Sequence, residues 1–340
     1  MTKTRIAVVG SGQRVREAAL PVLASLEDRF ELAGVFSRKP KTIRAGDRDH
    51  EVAPLDALDA SAVAELDALY LVVSKPAVPS VLARLAALRP RGVHLLVETP
   101  VVLPRHLPKA RSMRAFGAVS VTEDCVTLPL VDAVREAVEA GAIGALRSVT
   151  LDRSAYAYHG VAMLKALIGA GRVRRARRIP SDDGGWSRTY RFASGVEGRT
   201  VDPRNYAVGT LTVAGTGGVL VDHDVDAGHA RNVAIERSGD RAVSVRAGDA
   251  RRALSEPEQE LMGTPLEGSD PRRPWSWMDG MKRVGFRRLL ERVADGGAAY
   301  PVLDALDDAL VDYHLEKLGR YAPNPLTSAR GLGLRPFVPR

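Results

Sequence analysis

Near the start of the chain Gly10 and Gly12 have the spacing of the first two glycines in a G-x-G-x-x-G turn; Gln13 and Arg14 follow, and Val15 takes the third position. The first glycine of such a turn permits a sharp exit from a strand, and the second lets a pyrophosphate approach the backbone. The start of the next helix favours its negative charge. Gly10, Gly12, Gln13 and Arg14 are therefore candidate dinucleotide contacts. After the second strand of such a unit, an acidic side chain suits free ribose hydroxyls, whereas small polar and basic residues suit a 2′-phosphate. Ser37, Arg38 and Lys39 stand there, which favours NADP over NAD, with Ser37 and Arg38 as its contacts.

Two further segments close strand-like runs: Val72 to Pro76 (VVSKP) and Val97 to Pro100 (VETP). In an open parallel sheet, ligands bind at the carboxyl ends of the strands. Ser74, Lys75, Glu98 and Thr99 thereby join the cofactor set. The stretch His223 to His229 (HDVDAGH) holds residue types that ligate metals. Neighbours on a strand point to opposite faces, however, so His223 and Asp224 do not converge and no metal site is assigned. Trp275 and Trp277 in PRRPWSW are expected to pack within a loop, and Cys125 is expected to be a buried thiol.

Positioning these residues requires alternating strands and helices. Arg5 to Val9, Leu32 to Phe36, Leu69 to Val73, Val93 to Val97 and Ala118 to Thr122 read as buried strands. Arg14 to Leu26 and Val78 to Leu88 carry apolar residues at helical spacing. This pattern predicts an α/β class with an N-terminal doubly wound parallel sheet, a Rossmann domain over residues 1–124. Thr127, as N-cap before Pro129, is expected to start a helix running to about Gly141. From Arg147 the pattern becomes strands separated by turns: Arg147 to Leu151, Thr189 to Ala193, Tyr206 to Ala214, Val219 to Val225, Asn232 to Glu236 and Ala242 to Ala247. Gly215 to Gly218 and Ser238 to Asp240 read as hairpin turns. Residues 125–340 are thus expected to form an α+β domain with a largely antiparallel open sheet for substrate and oligomerisation. Two helices built around Met278 to Val293 and Leu303 to Leu318 would complete it, the last packing back on the first domain.

Bulk properties narrow the classes. A chain of 340 residues with 45% hydrophobic content suits two domains. The opening MTKTRIAVVGSG enters a strand with no cleavage site, and no apolar run is long enough to span a bilayer. A single cysteine excludes an intramolecular disulfide and suits a reducing cytoplasm. The net charge of +8 is dispersed except at Arg172 to Arg178 (RVRRARR), which lacks interleaved aromatics and is read as a solvated loop or a contact for an anionic substrate. Neither a nucleic-acid nor a membrane partner is expected.

The glycine turn with Arg14, Ser74 and Pro76, Glu98 and Pro100, Gly141 to Val149 (GAIGALRSV) and Tyr300 to Leu310 occur in an order that resembles the Gfo/Idh/MocA oxidoreductases, the glucose-fructose oxidoreductase and inositol dehydrogenase group. The resemblance spans most of the chain. It implies a NAD(P)-dependent oxidoreductase acting on a carbonyl, alcohol or imine of a small polar molecule, sugar-like or a natural-product intermediate. It also implies a homodimer or homotetramer. Where that family has Glu-Lys-Pro this chain has Thr99, which supplies no cationic donor. Tyr156 to Gly169 (YAYHGVAMLKALIG) resembles the family's histidine motif, with Ala155 and Ala162 in place of its aspartates. His159 is then the candidate general acid or base, since imidazole titrates near neutrality, and Tyr156, Tyr158 and Lys165 are candidate assistants. Loss of the lysine and the aspartates leaves open a second reading, a divergent member using the cleft for elimination, isomerisation, cyclisation or ligand binding.

Overall fold

The computed structural model describes residues 2–169, 171–181, 184–223, 230–324, 327–329 and 332. Asp224, Asp226 and His229 of the HDVDAGH stretch lie outside the described residues. The chain divides into two compact units: residues 1–123 with 286–310 and 328–340, and residues 124–285 with 311–327. Among the described residues no helix is long and apolar enough to cross a membrane.

The strands of the first unit are β1 (Thr4–Val9), β2 (Phe30–Ser37), β3 (Lys41–Ala45), β4 (Arg48–Pro54), β5 (Ala68–Leu71), β6 (His94–Val97) and β7 (Ala118–Val121). They form an eight-stranded sheet in the order Tyr300–Pro301, β7, β6, β5, β1, β2, β4, β3. β1 pairs in parallel with β2 on one side and β5 on the other, so the winding reverses at β1. β5 and the second half of β1 are buried at every position, as strands covered on both faces must be. Of the helices, α1 (Leu20–Ala24), α2 (Ala60–Ala64) and α3 (Val78–Ala87), the last buries Val78, Leu82 and Leu85 along one stripe.

Two local features depart from the sequence reading. The helix expected over residues 14–26 opens as a π-helical segment, Val15–Ala19, and becomes α-helical only at Leu20. Leu20 donates its N–H to the Val15 carbonyl, and Pro21, which has no N–H, cannot extend an i→i−4 ladder through that turn. The antiparallel pair β3–β4, joined through Gly46 at φ 61, has no counterpart in the sequence reading.

The second unit is built on a ten-stranded sheet. Its labelled strands are β8 (Leu146–Asp152), β9 (Val173–Pro180), β10 (Trp186–Phe192), β11 (Glu197–Asp202), β12 (Thr210–Gly215), β13 (Val219–Val221), β14 (Ala230–Ser238), β15 (Arg241–Ala247) and β16 (Ala250–Ala253). The order is β16, β15, β14, β13, β12, β8, β11, β10, β9, Arg320–Tyr321, and only β11–β8 and β13–β14 are parallel pairs. Both expected hairpin turns join antiparallel neighbours. The helices of this unit are α4 (Pro129–Glu139), α5 (Ala157–Ile168) and α6 (Glu256–Met262), with the first part of α7 (Met278–Ala294), up to Gly285, and the last part of α8 (Val302–Leu318), from Val311. Thr127 is not the cap of α4: the N-cap position is Leu128, and Thr127 instead donates to the Gly285 carbonyl at 2.9 Å.

One face of this sheet is apolar and carries Val149, Leu151, Tyr190, Phe192, Leu211, Val213, Val233 and Val245, all buried. The other face holds Arg175, Arg177, Arg191 and Arg199, all exposed. The Arg172 to Arg178 run is therefore not a loop; most of it is β9, and the alternation of a strand sends its arginines to both sides. On the exposed side Arg175 lies directly opposite Arg191, and Arg177 opposite Arg320. On the covered side Arg178 lies opposite Arg188, and there the chain supplies acids. Glu316 on α8 binds both guanidinium groups, Arg178 at 3.2 Å and Arg188 more closely, and Asp202 reaches Arg188 at 2.6 Å. Burial pushes the Asp312 carboxyl up to about 6, against the pull of Arg188.

Arg188 is 5% exposed, so removing it leaves the half-buried carboxylates of Asp202 and Asp312 without their cation. The Arg188→Ala variant is expected to lose about 3–5 kcal/mol and on the order of 10 °C in the melting transition of this unit. Arg178→Ala, whose guanidinium rests on the Trp186 ring at 3.8 Å near solvent, is expected to cost about 1 kcal/mol or less. Calorimetric scans of the two variants check the contrast.

Candidate functional site

The first cluster lies at the carboxyl ends of the parallel strands. Gly10 leaves β1 at φ 145, and its N–H donates to the Phe36 carbonyl at 2.8 Å. A Cβ at this position would stand 2.0 Å from the carbonyl oxygen of Val72. Gly12 is exposed, and a Cβ there would meet nothing within 4 Å, so it presents open backbone where a pyrophosphate would approach. Gln13 donates to Glu17 at 2.8 Å. Ser37 ends β2 and donates its hydroxyl to the Lys39 carbonyl at 2.8 Å, while Arg38 beside it is exposed.

Arg14, Lys75, Glu98 and Thr99 come together at the end of β6. The Glu98 carboxylate accepts from Arg14 Nε at 3.2 Å, from Thr122 Oγ1 at 3.2 Å, from Thr99 Oγ1 at 3.3 Å and from the Tyr70 hydroxyl. Burial, reinforced by Glu98, holds the Tyr70 phenol well above its ordinary pKa. Arg14 also lies over the Phe286 ring, 5.3 Å from its centroid. Lys75 Nζ donates to the backbone carbonyls of Thr99 and, at 3.3 Å, Glu98. Burial lowers the Lys75 pKa, partly offset by Glu98. Thr99 is 5% exposed and turned toward Glu98, while Ser74 is exposed at the start of a short 3-10 turn. Tyr70 and Thr122 escape a reading of the sequence, since inside buried strand runs they look like core.

The second cluster is a small cavity within the second unit, lined in part by Tyr156, His159, Arg204, Tyr206, Met278 and Lys282. Tyr156 is the N-cap residue of α5, and His159 lies in its first turn, ring to ring with Tyr158 at 4.3 Å. The helix closes at Gly169 in the left-handed conformation. Lys165, a candidate assistant by sequence, is absent from the cavity lining, as is Tyr158. Arg204, Tyr206 and Lys282 carry no sequence signal of their own. Tyr206 lies in the turn before β12, not in the strand expected from Tyr206 onward, and stacks on buried Trp275 with an interplanar angle of 6°. Lys282 follows Met278 by one helical turn, a spacing that marks it as belonging to the same face of α7.

Lys282 Nζ lies over the Tyr206 ring, 5.5 Å from its centroid. Burial disfavours its ammonium, yet Cys125, Tyr206 and Asp124 outweigh this and hold its pKa above the ordinary lysine value. Burial raises the Tyr206 phenol against the opposing pull of Lys282, so this side chain is a neutral donor at ordinary pH. Cys125 is buried, as expected. Trp275 and Trp277 are each 1% exposed and pack inside the unit, with Trp277 Nε1 donating to the Pro271 carbonyl at 2.8 Å. His223 Nδ1 lies 3.2 Å from Asp222.

No family model and no curated protein matches the sequence. Solved structures do match along nearly the whole chain. A putative myo-inositol dehydrogenase from Sinorhizobium meliloti is 17% identical with a TM-score of 0.62, covering 94% of this chain and 99% of its own. An oxidoreductase from Agrobacterium radiobacter in complex with NAD+, L-tartaric acid and magnesium is 15% identical with a TM-score of 0.60, covering 94% and 98%. The super-repressor mutant of Gal80p from Saccharomyces cerevisiae is 12% identical with a TM-score of 0.62, covering 96% and 99%.

The two glycines of the turn separate backbone need from ligand access. Gly10→Ala is expected to destabilise the first unit by roughly 2–4 kcal/mol, through its positive φ and the clash with Val72. Gly12→Ala is expected to leave the melting temperature within the effect of about 0.5 kcal/mol while weakening nucleotide binding. Thermal melts and nucleotide titrations of both variants check this.

Proposed function

We propose that this chain, whose two-domain fold is that of the Gfo/Idh/MocA oxidoreductases, is a NAD(P)-dependent oxidoreductase acting on a carbonyl, alcohol or imine of a small polar, sugar-like molecule. The observation that carries the reading is the Gly10–Gly12 turn at the carboxyl end of β1, where the sheet's winding reverses and Gly12 leaves the backbone open. Gly10, Gly12, Gln13 and Arg14 would hold the dinucleotide there, with Ser74, Lys75, Glu98 and Thr99 at the neighbouring strand ends. Arg38 pairs with no carboxylate among the described residues, which suits a 2′-phosphate and favours NADP.

A nicotinamide held by these residues would supply or accept the hydride. The protein's part is to orient the substrate and to move one proton at its oxygen or nitrogen. His159 serves as the acid or base, with Tyr156, which lines the same cavity, as its assistant. Thr99 does not take this role through a cation: its hydroxyl is turned to Glu98 and it carries no charge.

A second reading, ligand binding or non-redox chemistry in the same fold, is favoured by that replacement at position 99. The Gal80p structure adds a neighbour whose name describes a repressor.

Titration of NADPH and NADH by nicotinamide fluorescence separates the readings. Tight NADPH binding is expected, weakened about tenfold or more in Arg38→Ala with NADH affinity unchanged, the loss of one charge-assisted contact. With a turned-over carbonyl substrate, His159→Ala is expected to lower kcat about 100-fold or more without changing nucleotide affinity. Absence of binding by either nucleotide would sink the oxidoreductase reading. Binding without turnover across a carbonyl and polyol screen would favour the second.

A further inference from the structure

On the open face of the second unit's sheet, strand register sets the side chains in rows that cross the strands. One row runs Arg320, Arg177, Thr189, Arg199, Thr150, and the next runs Arg175, Arg191, Glu197, Ser148. Neighbours within a row stand on strands about 4.8 Å apart, and the rows lie about 7 Å apart. Arginine directly opposite arginine is unfavourable, and each row contains such a pair. Glu197 pairs with Arg191 at 3.0 Å, and Ser187 Oγ accepts from Arg199 Nε at 2.8 Å. Asp152, the next acid on this face of β8, lies 3.9 Å from Arg153. Among the described residues no carboxylate lies within ion-pair distance of Arg175, Arg177, Arg199 or Arg320. Each of these four guanidinium groups therefore keeps N–H donors to give.

A groove of ≈ 790 Å³ lies over the rows, lined by Arg174, Arg175, Arg177, Arg191 and Arg199 and by the small hydroxyl residues Ser148, Thr150 and Thr189. That volume is in the range of small-molecule sites. A guanidinium gives a phosphate two parallel bonds, and hydroxyls supply further donors. Several guanidinium groups so close together suit more than one negative charge in one molecule. The cations span the three strand steps from Arg320 to Arg199, about 14 Å, and then give way to Thr150 and Thr212. A nucleic-acid duplex spreads its charge along a far longer track. The rows contain no aromatic ring on which single-stranded bases would stack. A second copy of this face, set on a two-fold axis through the patch, would bring arginines onto arginines.

From these two rows of arginines short of acids beneath one open groove, we propose that the face binds a small molecule bearing two or more phosphate groups. Arg175 and Arg191 share one phosphate, and Arg177, Arg199 and Arg320 take another. Each bound phosphate turns a facing repulsion into a bridge. The site uses no residue of the glycine turn, so it stands or falls independently of the oxidoreductase reading.

Isothermal titration of the full chain with inorganic tripolyphosphate and with orthophosphate, at matched ionic strength, tests this. Saturable binding of tripolyphosphate is expected, at least tenfold tighter than orthophosphate. The double variant Arg175→Gln/Arg177→Gln and the single variant Arg199→Gln are each expected to weaken it at least tenfold. All three positions are exposed, and the double variant removes like-charge opposition, so its melting temperature is expected to match or exceed that of the parent chain. Arg38→Ala is expected to leave tripolyphosphate affinity unchanged; a loss there, with none in the sheet variants, would place the anion at the nucleotide turn and overturn the proposal. No saturable binding, or equal affinity for the two phosphates, would also overturn it. A short DNA duplex binding more tightly than tripolyphosphate through the same arginines would assign the face to nucleic acid instead. Self-association in sedimentation that the double variant abolishes would assign it to a second copy; either result overturns the small-molecule site.

Discussion

A carboxylate placed at the end of a buried parallel strand stays charged only if nearby donors replace the water it has lost. Glu98 meets that condition with Arg14 from the turn after β1, Tyr70 from β5, Thr122 from beyond β7 and its own neighbour Thr99. Each donor comes from a different strand end, so the one acid draws the carboxyl edge of the sheet into a defined arrangement. The glycine turn is tethered through Arg14, and Arg14 is in turn backed by Phe286, whose ring also meets Tyr70 at 5.2 Å. The cation nearest the backbone of residue 99 belongs to Lys75, not to a side chain of the Glu-Thr-Pro segment.

The second unit solves the same problem of buried charge with the opposite polarity. Arg188 sits within the covered face of the sheet and gathers Asp202, Glu316 and Asp312 around it. These acids arrive from β11 and from α8, so the helix is held to the strands by charge as well as by apolar contact. Such a network is weak as a source of net stability but costly to break from one side.

Much of this was legible because period and punctuation agreed. The parallel strands are short β-branched runs with glycine or proline at their ends, and the glycine turn stood in the strand–turn–helix context that gives it meaning. The α5 helix, with His159 near its start and Gly169 at its end, lies where the resemblance to the family's histidine motif placed one. What escaped was set by partners distant in sequence. β9 is a strand because β10 pairs with it, although its arginines read as a solvated run. The β3–β4 pair carries few apolar residues, so its alternation was faint. Lys282 hid among the many charged residues of α7, and Tyr206 within an expected strand, because their common cavity depends on the tertiary approach of α5, α7 and the turn before β12.

The facing arginines on the open side of the sheet carry a consequence for the medium. Arg175 against Arg191 and Arg177 against Arg320 repel across neighbouring strands, with Glu197, paired to Arg191 at 3.0 Å, as the acid among them. That repulsion acts between exposed groups, so dissolved salt screens it over a Debye length of about 8–10 Å. Within the network on the covered side, Arg188 is buried and Asp202 and Asp312 are half-buried, so the same ions reach those pairs less. Salt therefore acts on the two faces of one strand differently: it relieves the repulsion on the open side and screens the buried Arg188 pair with Asp202 far less.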